Sequence, residues 1–542
     1  MNSYLSKTVA WVFLIAASAG VAIMSIGIYC LNPLHTSWVF NSLDDAVHFE
    51  GWVFFRSDLW HFPVGSIRTM LWPIGTGVGF TDSIPLAAIP LKAIASGISS
   101  DFQYVGPWLL ACFILNGVFG FLILRPRAQL AAACVGALFF CATPILLFRI
   151  VHPSLCAHWV LLAPFYLWER NDNRVWPWVS LNIVTSTIHP YLLAMVLTLT
   201  LTRCLVIARV KWMTALEIVV GSIGGPLLAM WIVGYFDGTA SDIGGFGGFS
   251  ADLATFVNSQ NVFGWLPSHA VQPGQGEGFG YLGVGVLALS AIVLVRVAAK
   301  DARERVWQSV RILGIPCAVA SILFVYALSN HVTLLGHQLF AIPLHSKLLI
   351  RLTETFRASG RFMWPLHYAI IVVVISSIVT LFRPATAIAL LTIALVAQVL
   401  EPTPFRNAIL AGHQASAYHS DDRLSALIAA HRHVVVYPLF TFPNYCRQTD
   451  YDSTEIERLG IQAAHAGATI NSAYLARYPV SAIQGECAVL EARIAQNDLD
   501  PESLYLFGHS FADVAQKTGA YCREFAPWIA CSTNPRADTL MR

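Results

Sequence analysis

Charge is what this chain has least of. Asp, Glu, Lys and Arg make up 12% of its 542 residues, while 56% are hydrophobic and the mean hydropathy is +0.60. A soluble domain carries roughly 25% charged residues, so the chain reads as an integral membrane protein. Basic tracts and recognition motifs are missing too, and the formal net charge is only +2, which sets nucleic acid aside as a partner. No cysteine–histidine spacing suggests zinc, and no metal site is expected on that ground. The run Gly244-Gly245-Phe246-Gly247-Gly248-Phe249 lacks the Lys-Ser/Thr ending and the context of a phosphate-binding loop. The first apolar stretch is longer than a signal-peptide core and has no clear small-x-small cleavage site, so it is expected to stay as a span.

Apolar windows of roughly 17–25 residues predict about eleven spans, near 9–31, 107–124, 129–148, 154–168, 175–189, 191–209, 213–235, 279–296, 312–329, 363–382 and 386–400. Lys7, Arg125, Arg127, Arg170, Arg174, Arg203, Arg209, Lys211, Lys300, Arg303, Arg305 and Arg383 then fall on one side. The inside bias of Lys and Arg makes that side cytoplasmic. Segments 32–106, 236–278, 330–362 and everything after 400 are expected outside, with 236–278 read as a mobile loop able to gate a site.

The expected division is a membrane domain over 1–400 and an external domain over 401–542. Beyond 401 charge rises, and helix-like stretches (Leu424–His431, Thr454–Ala466) alternate with strand-like ones (His433–Phe440, Leu504–Phe507). That alternation predicts a small α/β domain. Its four cysteines, Cys446, Cys487, Cys522 and Cys531, suit two disulfides in an oxidising compartment. Three pairings are open, and proximity favours Cys522–Cys531.

Chemistry is sought among the charges that remain. Asp44, Asp45 and His48 stand in SLDDAVHFEGWVFFR, directly after the first span. Asp favours helix N-termini, so a capping role accounts for part of this. The aromatic Trp52, Phe54, Phe55 and Trp60 suit a helix lying in the headgroup layer, which would hold the acids at the depth of a lipid phosphate. Asp82, in GFTDSIPLAAIP, is a second acidic candidate or a second cap. On the same expected side, Lys347, Arg351, Arg357 and Arg361 would share an arc of one helix just before a span, a clamp suited to phosphate or pyrophosphate. Snorkelling to headgroups is the plainer account of such residues. His152 and His189, each followed by Pro, fall at external ends of turns, and Glu277 in GEGFGYLG stands where a loop re-enters the membrane.

Together these features resemble the GT-C superfamily of membrane glycosyltransferases, which use polyprenyl-phosphate-linked sugars. The resemblance rests on LDDAVH after the first span, the first external loop, and many spans followed by an external domain. The segments GFTDSIPLAAIP, GEGFGYLGVGVL and FRASGRFMWP look like a bacterial branch of it, and the likeness covers about residues 1–400. It implies a bacterial cytoplasmic membrane enzyme with its N-terminus cytoplasmic and its tail periplasmic. It also implies a catalytic Asp in the first external loop, either Asp44 or Asp45. Donor contacts would come from Lys347, Arg351, Arg357, Arg361, His48 and His189, with Asp82, His152 and Glu277 as additional candidates.

The chemistry fits independently. One carboxylate deprotonates the acceptor hydroxyl as it attacks the anomeric carbon, cations stabilise the departing phosphate, and a single displacement inverts the centre. The implied partners are a polyprenyl-phosphate-linked sugar, an extracytoplasmic acceptor (envelope glycan, lipid or protein) and the lipid bilayer. Acids of this kind could hold Mg²⁺ or Mn²⁺, although no ligand set is evident. The alternative of another class is a transporter or flippase of lipid-linked glycans. No internal repeat or pair of broken helices supports it.

Overall fold

The computed structural model describes residues 2–237, 245–346, 350, 353–415 and 421–535. Among them, seven helices are long and apolar enough to cross a membrane: Lys7–Ile26, Val105–Leu124, Leu130–Phe148, Pro190–Ala208, Trp212–Val233, Lys300–Ala327 and Ser359–Leu381. The helices Pro384–Leu400 and Thr403–Gln414, bent by 43° at their junction, make an eighth if counted as one span. This falls short of the eleven expected, and the reason is length. Windows 154–168, 175–189 and 279–296 fold as Trp159–Glu169, Val175–Ser186 and Val284–Arg296, with 11, 12 and 13 residues. At 1.5 Å per residue these reach only about 17–20 Å, against a hydrocarbon core of roughly 30 Å.

The chain forms two compact units. The first comprises Met1–Asn32, Gly106–Pro226 and Asp242–Ala411 and holds most of the spans. The second comprises Pro33–Val105, Leu227–Ser241 and Gly412–Arg542. The segment after the first span thus groups with the tail.

At the heart of the second unit lies the helix Leu43–Ser57, here the motif helix, since it carries Asp44, Asp45 and His48. Ser42 caps it, its hydroxyl accepting from Asp45 N–H at 3.3 Å. The aromatics of this helix face protein: Trp52, Phe54 and Phe55 are all buried, and Trp52 Nε1 donates to the Phe102 carbonyl at 2.8 Å. Of the four aromatics only Trp60, beyond the helix, is exposed.

The tail is α/β, as its alternation predicts. A five-stranded sheet runs in the order Thr469–Ile470, His433–Tyr437, Ser503–Gly508, Trp528–Ser532, Tyr521–Phe525. The first three strands are mutually parallel, and Trp528–Ser532 pairs antiparallel with both Ser503–Gly508 and Tyr521–Phe525. Val435, Tyr437, Tyr505 and Phe507 pack on one face with Leu490 and Ile494 of the helix Val480–Ala495. The segment after the first span adds to this sheet: Ile470 N–H donates to Thr69 O at 3.0 Å, Trp72 N–H donates to Ile470 O at 2.7 Å, and Trp72 stacks on His433 at 4.1 Å. The cysteines pair as Cys446–Cys487 and Cys522–Cys531.

Candidate functional site

Each unit concentrates chemistry in one place. In the first unit, the end of the span Leu130–Phe148 presents Arg149, which the sequence analysis did not single out. Its guanidinium donates to the carbonyls of Gly276 and Glu277 at 3.0 and 2.9 Å and pairs with Glu277 Oε2 at 3.0 Å. Arg361 reaches the same oxygen through Nε at 2.7 Å. Glycines permit this approach, since a Cβ on Gly360 would stand 2.6 Å from Gly278 Cα. The motifs GEGFG and FRASGRF are thereby held backbone to backbone.

Around this pair of arginines stand His152, His189 and Tyr191. Arg361 lies 4.7 Å from the centre of the Tyr191 ring, whose hydroxyl accepts from Ala358 N–H at 2.9 Å. His189 Nδ1 accepts from Tyr191 N–H at 3.2 Å, so its ring proton when neutral sits on Nε2. The His152 and His189 rings are 6.1 Å apart. Burial alone would raise the Glu277 carboxyl, but Arg149, Arg361 and His152 together hold it well below the usual carboxylate range. The structure thus brings together four expected residues (His152, His189, Glu277 and Arg361) and adds Arg149.

The expected arc of one helix is corrected. Segments His331–Leu334 and His337–Ala341 form a β-hairpin, and the chain leaves helical geometry at Phe356–Ala358 before the 3₁₀ turn Ser359–Met363. Arg357 therefore departs from Arg361 and lies over Phe249 at 5.7 Å. Lys347 and Arg351 lie outside the described residues.

In the second unit, the motif helix packs against the helix Ser453–His465. Asp45, Glu50 and Glu457 are fully buried, and none of their carboxyl oxygens has a hydrogen-bond partner of normal geometry among the described residues. Burial raises all three well above the ordinary range, Asp44 raising Asp45 further, and Glu50, Asp44, Asp452 and Asp45 raising Glu457. Asp44, by contrast, is half-exposed. His48 is buried, and burial depresses it to about 3, so it is neutral and brings no positive charge to a phosphate. Asp82 sits beside the same helix on a turn where it and Ile84 have φ of 53° and 47°. Thr81 and Ser83 hydroxyls approach Gly51 so closely that a Cβ there would stand 2.3 and 2.5 Å from them.

Glu50 and Glu457 were passed over by the sequence analysis. Glu457 carried a signal: it shares the apolar stripe of Ile456, Gly460, Ile461 and Ala464, where an acid has no bland reason to be. Among the described residues no group of three or more His, Cys, Asp or Glu is arranged to hold a metal ion.

A family profile described as "Domain of unknown function (DUF6311)" matches residues 14–402. The chain belongs to the DUF6311 family. A second profile, the "DUF6311 C-terminal domain", matches residues 423–533. No curated protein matches the chain.

Proposed function

We propose that this DUF6311 protein is a membrane glycosyltransferase that moves a sugar from a polyprenyl-phosphate donor to an acceptor outside the cytoplasm, with inversion. The observation that supports it most is the convergence of Arg149 and Arg361 on the single carboxylate of Glu277, with His152 and His189 beside them. Forked guanidiniums suit a phosphate leaving group. In this reading the two arginines stabilise the departing phosphate. For the general base the GT-C likeness leaves Asp44 or Asp45, and Asp44 is the half-exposed member of the pair, as a base that must meet its substrate has to be. Asp45, buried and raised, is protonated and serves to position the N-terminal turn.

The GT-C likeness supports the same assignment, and two disulfides in the tail favour an oxidising, extracytoplasmic compartment for the second unit. The deciding experiment is reconstitution in vesicles with polyprenyl-phosphate sugars. Transfer to an acceptor that is lost in Asp44→Asn supports the enzyme. Translocation of the lipid without transfer would replace it with the flippase.

A further inference from the structure

The second unit contains a cavity of about 600 Å³ that plays no part in the reading above. It is within the roughly 300–1,000 Å³ of ordinary ligand pockets. Arg56, Lys92, Trp60, Ser96 and His465 are among its lining residues.

Neither Arg56 nor Lys92 has a salt bridge among the described residues; Asp101 and Asp58, the latter also on the cavity wall, act on them only at longer range. Lys92 is buried, donates to the Leu59 carbonyl at 3.1 Å, and lies over the Phe55 and Trp60 rings at 4.1 and 4.6 Å. Arg56 donates to the carbonyls of Ala95, Ile98, Ser99 and Ser100. Every one of these partners is neutral. The two nearby acids make their close contacts with other groups: Asp58 with His61 and the backbone of Leu59 and Arg68, Asp101 with His465. Burial accordingly lowers Lys92 to about 8, Asp58 offsetting only part of this. Two cations without a salt bridge on the wall of one cavity call for an anion.

The rim is apolar and tied to the end of a span. Leu59 and Ile94 are exposed, and each is flanked on both sides by residues that line the cavity. Phe62, also exposed, meets Trp231 at 4.9 Å, and Val64 N–H donates to Ile232 O at 2.8 Å. Trp231 and Ile232 belong to the last turn of the span Trp212–Val233, whose Leu227, Leu228 and Trp231 are exposed. A span's end marks the headgroup level, where tryptophan and basic side chains collect.

We infer that this cavity binds the anionic headgroup of a membrane lipid, with Arg56 and Lys92 as its cationic wall and Leu59, Phe62 and Ile94 against the acyl chains. The site does not rest on the transferase reading. A soluble anion would satisfy the charges but leave the rim uncovered, whereas an anionic lipid satisfies both.

The test is thermal unfolding of the full chain in neutral detergent with dihexanoyl phosphatidylglycerol, dihexanoyl phosphatidylcholine or inorganic phosphate. A saturable rise in Tm is expected with phosphatidylglycerol alone. Arg56 and Lys92 also hold local structure, so the informative variant is Ser96→Asp, which adds a negative charge at an exposed lining residue. It is expected to keep the unliganded Tm and weaken phosphatidylglycerol at least about tenfold, through like-charge repulsion. An equal response to phosphatidylcholine would overturn the anionic headgroup, and an equal response to inorganic phosphate would overturn the lipid. Undiminished affinity in Ser96→Asp would place the ligand elsewhere and overturn the site.

Discussion

Glu50 occupies the room that a side chain on Gly460 would need: a Cβ there would stand 1.6 Å from Glu50 Oε1. Glycine in mid-helix costs about 1 kcal/mol relative to alanine, a cost set here against the room it leaves for the carboxyl. Gly460→Ala is expected to destabilise the protein by about 1–3 kcal/mol, the usual result of overpacking. With Glu50→Ala in the background, the same change is expected to be neutral or stabilising. A double-mutant cycle by chemical unfolding measures the difference, and simple additivity would refute the packing account.

The buried acids make a prediction about pH. For an acid raised on folding, the native state holds more protons than the unfolded chain between the two pKa values. Its stability is therefore highest in acid and falls as pH rises above the unfolded value, about 4.3 for Glu. Glu457, raised by burial and by Glu50, belongs to this class. Glu457→Gln is expected to be more stable than the parent at pH 8, with the gap closing toward pH 4. Parallel pH profiles of Tm would contradict this.

At Glu277 the sign reverses. Its carboxyl is held low despite burial, so the bridge to Arg149 and Arg361 persists through neutral and mildly acid pH and is lost only below the ordinary carboxylate range. Glu277→Gln removes the common partner of two largely buried guanidiniums. A loss of about 3–5 kcal/mol is expected, read by denaturant midpoint.

For the proposed transfer, Asp44→Asn is expected to lower the rate about 10²–10⁴-fold, the usual range for a general base. Asp45→Asn is expected to retain most activity, because an amide resembles the protonated acid. Arg361→Ala is expected to lower the rate about 10²–10³-fold, with Arg361→Lys restoring only part of it, since the fork is lost. Turnover assays on folded, lipid-reconstituted variants decide, and the reverse order for Asp44 and Asp45 would reassign the base.

Much of the fold is legible in the sequence because hydrophobic period is a local signal. The alternation at Leu424–His431 and His433–Phe440 prefigures the helix Asp422–Ala429 and the strand His433–Tyr437. Span number was not legible in the same way. The windows 154–168 and 175–189 are apolar, but their helices run for only 11 and 12 residues, and apolarity alone does not fix where a helix breaks. In the motif helix Trp52, Phe54 and Phe55 face protein, which their residue types alone do not announce. In the candidate site, Arg361 and Glu277 were visible as isolated charges. Their pairing across 84 residues of chain, and the arrival of Arg149, depend on the contact between Gly278 and Gly360, which no local pattern announces.

The Cys446–Cys487 bridge spans 41 residues and encloses the whole helix Ser453–His465, Glu457 and Gly460 included. The partner helix of the acid motif is thus delivered on a covalently closed loop, whose closure is worth about 4 kcal/mol in the chain-entropy account. Where the protein is manufactured therefore bears on whether its acid cluster assembles. A recombinant host that keeps the thiols reduced would yield a chain whose membrane helices insert normally while the face opposite Asp45 and Glu50 is held more loosely. Preparations should be compared by thiol titration before their activities are.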